Sequence, residues 1–331
     1  MTVTIERFEK EYVTYHGLSE KRAVEQIKVL QAFEDHAGKP LVECGAPEFR
    51  GFLSHLLDSG LHVNTVAKKA GMVRPYFGWA FDVGLVSGDT LMAVKRVKDP
   101  KGSSKRTKPK PYTAKELKQF WSDLDERWPY TTDRILKRWR KGTSPYRSVW
   151  RHAMHLQMEA IVRLALDCGM RRQEIYAVSL DDVHPDNAYV VVRNGKRTSA
   201  REDKPREVPY TKAARRAVAA WLDFRAELKP DHDKVWLSLK TDTHTRPMRW
   251  ERFQRIVGTV GDYGLHRFRH TSATNWLRAG VSIELVSRLL GHSSLQQTLC
   301  YAEIIRDDIN AAMNKHEDAF ERLANAEEGS P

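Results

Sequence analysis

No run of about 18 consecutive apolar residues occurs in this 331-residue chain, which excludes a helical membrane span. The opening, Met1-Thr2-Val3-Thr4-Ile5-Glu6-Arg7-Phe8, lacks the charged-then-apolar pattern of a secretory leader. Cysteine is scarce: Cys44, Cys168 and Cys300 stand far apart with no metal-ligand spacing. That argues against a disulfide framework and a metal site, and fits a reducing, cytoplasmic setting. Acid is in deficit, with 43 Asp and Glu against 55 Lys and Arg, a formal charge of +12 and a pI near 9.5. Such a chain most often meets a polyanion, because each phosphate it neutralises releases condensed counterions. Charge alone leaves a merely basic surface almost as good an account. The hydrophobic content of 41% and mean hydropathy of −0.58 are ordinary, and the length allows two domains, each with its own core.

Residues 1–94 read as all helix. Ser19 is placed to cap a helix with Val24, Ile27, Leu30 and Phe33 on one face, ended by Gly38-Lys39-Pro40. A second spans roughly Pro47 to Leu57 and stops at Asp58-Ser59-Gly60. Asn64 is a candidate cap for a third, with Val66, Ala70, Val73, Phe77 and Ala80 at three/four spacing. Pro75 predicts a kink or break near Arg74. Lys68, Lys69 and Arg74 lie off the apolar stripe, free to touch phosphates, although solvation is the commoner fate of any one of them.

Residues 95–112 carry Lys95, Arg96, Lys98, Lys101, Lys105, Arg106, Lys108 and Lys110 against the single acid Asp99, with Pro100, Gly102, Pro109 and Pro111. Nothing apolar is periodic there, so an extended interdomain linker is expected. It either runs along a nucleic-acid backbone, with Lys105, Arg106 and Lys108 as contacts, or is a hinge whose charge aids solubility. Residues 113–331 then form a second domain. Thr113-Ala114-Lys115-Glu116 is a capping-box signature. The stretch from Trp121 to Trp150, broken by Pro129 and Gly142, has no clear assignment; its tryptophans suit a core better than base stacking. Glu159 to Asp167 reads as a buried helix ending at Cys168-Gly169. Ala188–Arg193 and Arg206–Pro209, with a turn near Asn194-Gly195, predict a hairpin or small meander. Helices dominate from Thr211 onward, so the fold class is mainly α with a small antiparallel β-sheet.

Four clusters line up in this second region: Gly169-Met170-Arg171-Arg172-Gln173-Glu174-Ile175, Gly195-Lys196, His266-Arg267-Phe268-Arg269-His270, and Gly291-His292-Ser293-Ser294 ahead of Tyr301, which stands nine positions past His292. A phosphodiester resists attack because its oxygens are anionic, and its transition state concentrates more charge on them. Without metal, fixed guanidinium groups and hydrogen-bond donors must take that charge. Arg171 and Arg269 are the candidates, and removing one such donor typically costs about 10²- to 10³-fold in rate. Tyr301 is the candidate nucleophile. Taken singly, such an arginine is usually a surface residue, such a histidine a helix cap and such a tyrosine a half-buried aromatic. Agreement of five or six positions in order and spacing outweighs those readings.

The ordered set resembles the tyrosine recombinase (phage integrase) family over residues 113–310. By position and pattern, residues 1–94 look like that family's helical core-binding domain, ahead of an α+β catalytic domain. The resemblance implies cleavage and rejoining of DNA through a 3′-phosphotyrosyl link, with no metal or ATP cofactor. It implies that Lys196 protonates the expelled 5′-oxygen, that His292 donates to a phosphate oxygen, and that His266 assists proton transfer at the tyrosine. Glu174 either orients Arg171 or is an ordinary helix acid. The hairpin is longer than the family's usual one, so Lys204 is an alternative to Lys196, which its place after the turn glycine favours. The resemblance also implies double-stranded DNA with specific core sites as partner, a dimer on one site and a tetramer in synapsis. No arm-binding domain is expected ahead of the core-binding segment. A helix over 302–327, with Ile305, Ile309, Ala312, Met313, Phe320 and Leu323 on one stripe, docks either on a neighbouring protomer or on its own domain. Two alternatives share these motifs: a catalytically silent DNA-binding protein and a type IB topoisomerase.

Overall fold

The computed structural model describes residues 3–100, 110–193, 205–239, 246–292, 294–306, 310, 313 and 316. The chain divides into two compact units, 1–106 and 107–331. The described residues are mainly helical, with one small antiparallel sheet.

The first unit contains α1 (Val3–Phe8), α2 (Glu20–Ala37), α3 (Ala46–Asp58), α4 (Val63–Asp82) and α5 (Gly88–Arg96). α2 buries Ala23, Gln26, Ile27, Val29, Leu30 and Phe33, whereas Val24, expected on that face, is 45% exposed. The buried stripe is thus centred on the 23/27/30 row, and Val24 lies at its solvent edge. The cap of α4 is His62, whose Nδ1 accepts the Asn64 N–H, so the imidazole does what was expected of Asn64. α4 runs unbroken through Pro75, against the expected break. The Gly71 carbonyl, which loses its donor to the proline, is on an exposed residue where water can serve it, and buried Val73, Tyr76 and Phe77 hold the helix in place. The core gathers Phe33, Phe49, Phe52 and Phe77, with Phe33 stacked on Phe52 at 5.1 Å. Truncating such a ring to alanine typically costs about 3–5 kcal/mol. Lys95 and Arg96, expected in the linker, are the last turn of α5, and Val97 is buried after them.

In the second unit α6 (Ala114–Arg127) opens on the expected capping box: Thr113 Oγ1 accepts the Glu116 N–H and Glu116 Oε2 accepts the Thr113 N–H. The tryptophan-rich stretch becomes the end of α6, α7 (Asp133–Arg140) and the start of α8 (Trp150–Leu166). Trp128 is buried, and Trp121, Trp139 and Trp150 pack half-buried on the same core. α8 is buried on almost every side and packs against α10 (Lys212–Glu227) and α12 (Leu265–Arg278). Between α8 and α10 lie α9 (Arg172–Ala177) and a meander of β1 (Val183–His184), β2 (Tyr189–Val192) and β3 (Arg206–Pro209), with Val190 opposite Val208. The two-residue β1 is too short to leave a pattern in the sequence. α11 (Trp250–Arg255) precedes α12; then come α13 (Ile283–Leu290) and α14, residues 296–306. Tyr301 therefore sits within a helix rather than just ahead of one.

Lys105, Arg106 and Lys108, and the hairpin candidates Lys196 and Lys204, lie outside the described residues. So do Ile309, Ala312, Phe320 and Leu323; of the expected terminal stripe, Ile305 is half-buried and Met313 is 54% exposed.

Candidate active site

The Gly-x-Arg-x-x-Glu cluster is one local device. Gly169 turns the chain after α8 at φ +61°, and a Cβ there would lie 2.9 Å from the Leu290 and Trp276 side chains. The turn delivers Arg171 to the N-cap of α9, where Glu174 Oε2 accepts its backbone N–H at 2.7 Å. Glu174 Oε1 takes Arg171 Nη1 at 2.7 Å, Oε2 takes Arg206 Nη2 at 2.8 Å, and Arg269 Nη1 stands 3.8 Å from Oε2. One buried carboxylate thus organises three guanidinium groups, and the cluster keeps two uncompensated positive charges.

A second anchor is the end of α13. Its last carbonyls have no partner inside the helix. Arg206 Nε donates to Leu289 at 3.2 Å, Arg269 Nη2 to Leu290 at 2.8 Å and Arg171 Nη2 to Gly291 at 2.6 Å. Three arginines from β3, α12 and the start of α9 each take one of three consecutive carbonyls, where the helix dipole also favours cations. Gly291 closes α13 at φ +64°. Arg269 donates a further bond from Nη1 to the Gly169 carbonyl at 2.5 Å.

Arg269 is 2% exposed, and burial, with Arg171 beside it, lowers its pKa to about 9, which still leaves it charged near neutrality. Of its five N–H donors, two are committed to these carbonyls. Arg171 is partly open to solvent. Arg269 therefore forms the buried floor of the pocket and Arg171 its accessible side.

His292 follows Gly291, and its Nδ1 lies 2.7 Å from Thr298 Oγ1. Burial, then Arg269 and Arg171, push the imidazole down to about 3, so it is neutral. A hydroxyl that donates to Nδ1 leaves the proton of the ring on Nε2, and one that accepts leaves it on Nδ1. The Tyr301 ring lies nearly parallel to the His292 ring at 6.4 Å. Tyr301 is 3% exposed, packed with Ala273, Val286 and Leu290, and burial pushes its phenol up to about 12. Its Oη is 2.6 Å from Nδ1 of His270. His266, one turn earlier on α12, is exposed, with its ring 4.3 Å from that of His270.

Arg171, Glu174, Arg269, His292 and Tyr301 are thus brought together, with His266 one ring removed. Two members were given no role by the sequence motifs. Arg206 shares the buried face of β3 with Val208, so a charged residue on an inward-facing strand position was the available signal. His270 stands four residues after His266, which puts both imidazoles on one helix face. Among the candidate phosphate contacts, Lys68 pairs with Glu25 at 2.6 Å, Arg74 bonds Asp99 and the Val97 carbonyl, and Lys69 is half-buried. Among the described residues no group of three or more His, Cys, Asp or Glu is placed to hold a metal ion, and no helix is long and apolar enough to cross a membrane.

Residues 146–306, which contain the whole pocket, match the Phage integrase family. The chain is 27% identical over 272 residues to the tyrosine recombinase XerC of Corynebacterium glutamicum, covering 81% of this chain and 77% of that one. The chain belongs to the tyrosine recombinase (phage integrase) family. It is a site-specific recombinase, an enzyme of DNA breakage and rejoining. The tyrosine recombinase XerD of Rhizobium meliloti is 21% identical over 291 residues, 86% of this chain and 85% of that one. The fold is shared with a XerH site-specific recombinase bound to a palindromic difH substrate (TM-score 0.65, 17% identity, 95% of each chain). It is also shared with a lambda integrase dimer bound to a COC′ core site (TM-score 0.62, 17% identity, 90% of this chain and 97% of that one).

Proposed function

We propose that this recombinase cleaves DNA with Tyr301 as nucleophile, in a pocket where Arg171 and Arg269 hold the scissile phosphate. The observation that carries the reading is the cluster of three guanidinium groups around the single buried carboxylate of Glu174, beside a buried phenol. A net positive, largely dehydrated pocket with unspent N–H donors suits a phosphate whose transition state gathers charge. Arg269 grips from the floor and Arg171 from the open side, while the neutral imidazole of His292 presents its Nε2–H to an oxygen.

Tyr301 Oη forms the bond to phosphorus, and the bond from phosphorus to the 5′-oxygen breaks. A 3′-phosphotyrosyl link and a free 5′-hydroxyl result, the leaving oxygen taking its proton from Lys196, or from Lys204 if the hairpin register differs. His266 assists proton transfer at the tyrosine. The covalent link conserves the phosphodiester energy, so rejoining needs no ATP, and the fixed guanidinium charge takes the part a metal would play. Glu174 is a positioning residue, fixing both the backbone and the side chain of Arg171.

The partner is double-stranded DNA with specific core sites, bound by a dimer that pairs into a tetramer in synapsis. Residues 1–97 serve as a core-binding domain, and the stretch from 98 to 112 as a basic linker. Lys69, Lys105, Arg106 and Lys108 neutralise backbone phosphates, with a smaller share for Lys68 and Arg74, which are already paired with Glu25 and Asp99. The test is a suicide duplex: a site enriched from a random pool by binding to the protein, nicked so that cleavage traps the adduct. A covalent protein–DNA adduct should form with the native chain and vanish in Tyr301→Phe, which still binds. Undiminished adduct in that variant refutes the assignment.

A further inference from the structure

We propose that His270, rather than His266, is the group that takes the proton of Tyr301 as the phenolic oxygen attacks. The inference rests on Tyr301 being the nucleophile and adds an acceptor that the motif does not name. Direct contact is the first ground. Nδ1 of His270 is 2.6 Å from Tyr301 Oη, a hydrogen-bond distance to the reacting atom. His266 is exposed, and its ring meets the ring of His270, 4.3 Å away.

The second ground is how firmly the pair is held. His270 is fixed by its place in α12 between buried Arg269 and Thr271, and Thr274 Oγ1 bonds its carbonyl at 3.0 Å. Tyr301 is held by Ala273 of the same helix and by Val286 and Leu290 of α13. Both partners are therefore fixed before any substrate arrives, which is what general-base geometry requires.

Proton and charge balance follow. As the bond from Oη to phosphorus forms and the bond to the 5′-oxygen breaks, the phenolic proton moves to Nδ1 and the imidazole becomes imidazolium. In rejoining, the same proton returns to Oη as the 5′-hydroxyl attacks. The charged and titratable groups around the pair are Arg269 and His266 on α12, Cys300 on α14, His292 after α13 and Arg171 at the start of α9. Burial, with His266 and Arg269 adding, lowers His270 to about 4, and burial raises Tyr301 to about 12. The proton therefore rests on the phenol. A phosphate anion entering the cluster offsets the arginine charge and makes the imidazole more basic, and bonding of Oη to phosphorus makes the phenolic proton acidic, so transfer is coupled to attack. His266, at the surface, gives the imidazolium a path for exchange with solvent.

The test uses the full chain and the suicide duplex, reading single-turnover adduct formation and, separately, binding and melting temperature. His270→Asn places an amide oxygen where Nδ1 accepts, so it keeps the tyrosine in place and cannot take a proton. Adduct formation should fall about 100-fold or more, with binding and melting preserved. His270→Ala should be equally slow and recover with added imidazole, whereas His266→Ala should lose less. Native cleavage by His270→Asn, or a larger loss in His266→Ala than in His270→Asn, overturns the proposal while leaving Tyr301 as nucleophile. Persistence of the adduct in Tyr301→Phe instead defeats the reading beneath it.

Discussion

Arg171 donates from Nη2 to the carbonyl of Gly291, 120 positions later, at 2.6 Å. The bond joins the two best-marked motifs, the characteristic side chain of the first meeting the backbone of the second. Gly291 is needed for two reasons that a sequence pattern does not separate. Its φ of +64° disfavours any Cβ, and a Cβ there would stand 2.8 Å from the Arg206 guanidinium.

Gly291→Ala should therefore damage both stability and chemistry. The left-handed backbone costs about 1–2 kcal/mol for a residue with a Cβ, and displacing Arg206 disturbs the partner of Glu174. A lowered melting temperature together with at least about a tenfold loss of adduct formation is the expected pair of results. Full cleavage in a stably folded variant would show that Arg206 can move without consequence.

Glu174 makes acid stability informative. Its burial opposes ionisation, but the hydrogen bond and charge of Arg206, then the backbone N–H and charge of Arg171, outweigh it and hold the carboxyl below its usual value. A carboxyl depressed in the folded state stabilises the fold above the unfolded value of about 4.3. That contribution is lost as pH falls through the folded value. Glu174→Gln should lose about 3 kcal/mol at pH 7, because three guanidinium groups are left without their anion. The gap between native and variant urea midpoints should narrow as pH drops below 4. A gap independent of pH would mean that the carboxylate contributes shape, not charge.

Much of this arrangement was legible in the sequence. The glycine turn, the Arg171–Glu174 pairing and the order of Arg269, His292 and Tyr301 were all local in sequence or fixed by spacing. Arg206 and His270 were not, for different physical reasons. Arg206 gains its role from a strand that folds back on the end of α13, a tertiary interaction across 83 positions. His270 is adjacent to Arg269, but its meeting with Tyr301 depends on how α14 docks on α12. The same limit explains Val24 and Pro75. Periodicity marks an apolar stripe without its exact centre, and a proline in a helix is tolerated where its missing bond faces water.

In the proposed arrangement the hydroxyl of Thr298 donates to Nδ1 of His292 and leaves the ring proton on Nε2. Thr298→Val keeps the volume and removes that donor, so Nδ1–H and Nε2–H forms of His292 come to compete. Adduct formation should fall several-fold, less than the roughly 10²- to 10³-fold expected when His292 itself becomes Ala, and DNA affinity should be unchanged. Nitrogen-detected NMR supplies an independent check. In the native chain burial holds His292 down at about 3, so its signal should remain that of the neutral, Nε2-protonated ring through pH 6. A titration centred near 6.5 would show the pocket to be far wetter than its geometry implies.

The basic residues make a prediction that separates ion-paired from unpaired charge. Each phosphate that the protein ceases to neutralise flattens the slope of log affinity against log salt by about 0.9 on duplex DNA. Lys68 already pairs with Glu25, and Arg74 with Asp99. Using either side chain on DNA means exchanging one anion for another, so Lys68→Ala and Arg74→Ala should each change the slope by well under that amount. The stretch after α5, residues 98–112, has six bases and one acid, so its charges have almost no local anion to exchange. Replacing Lys105, Arg106 and Lys108 together with alanine should flatten the slope by two to three times the single-phosphate value of about 0.9. Cleavage of DNA already bound at saturating protein should be unchanged. An unaltered slope would assign this stretch to solubility alone and leave the binding of phosphates to the folded units.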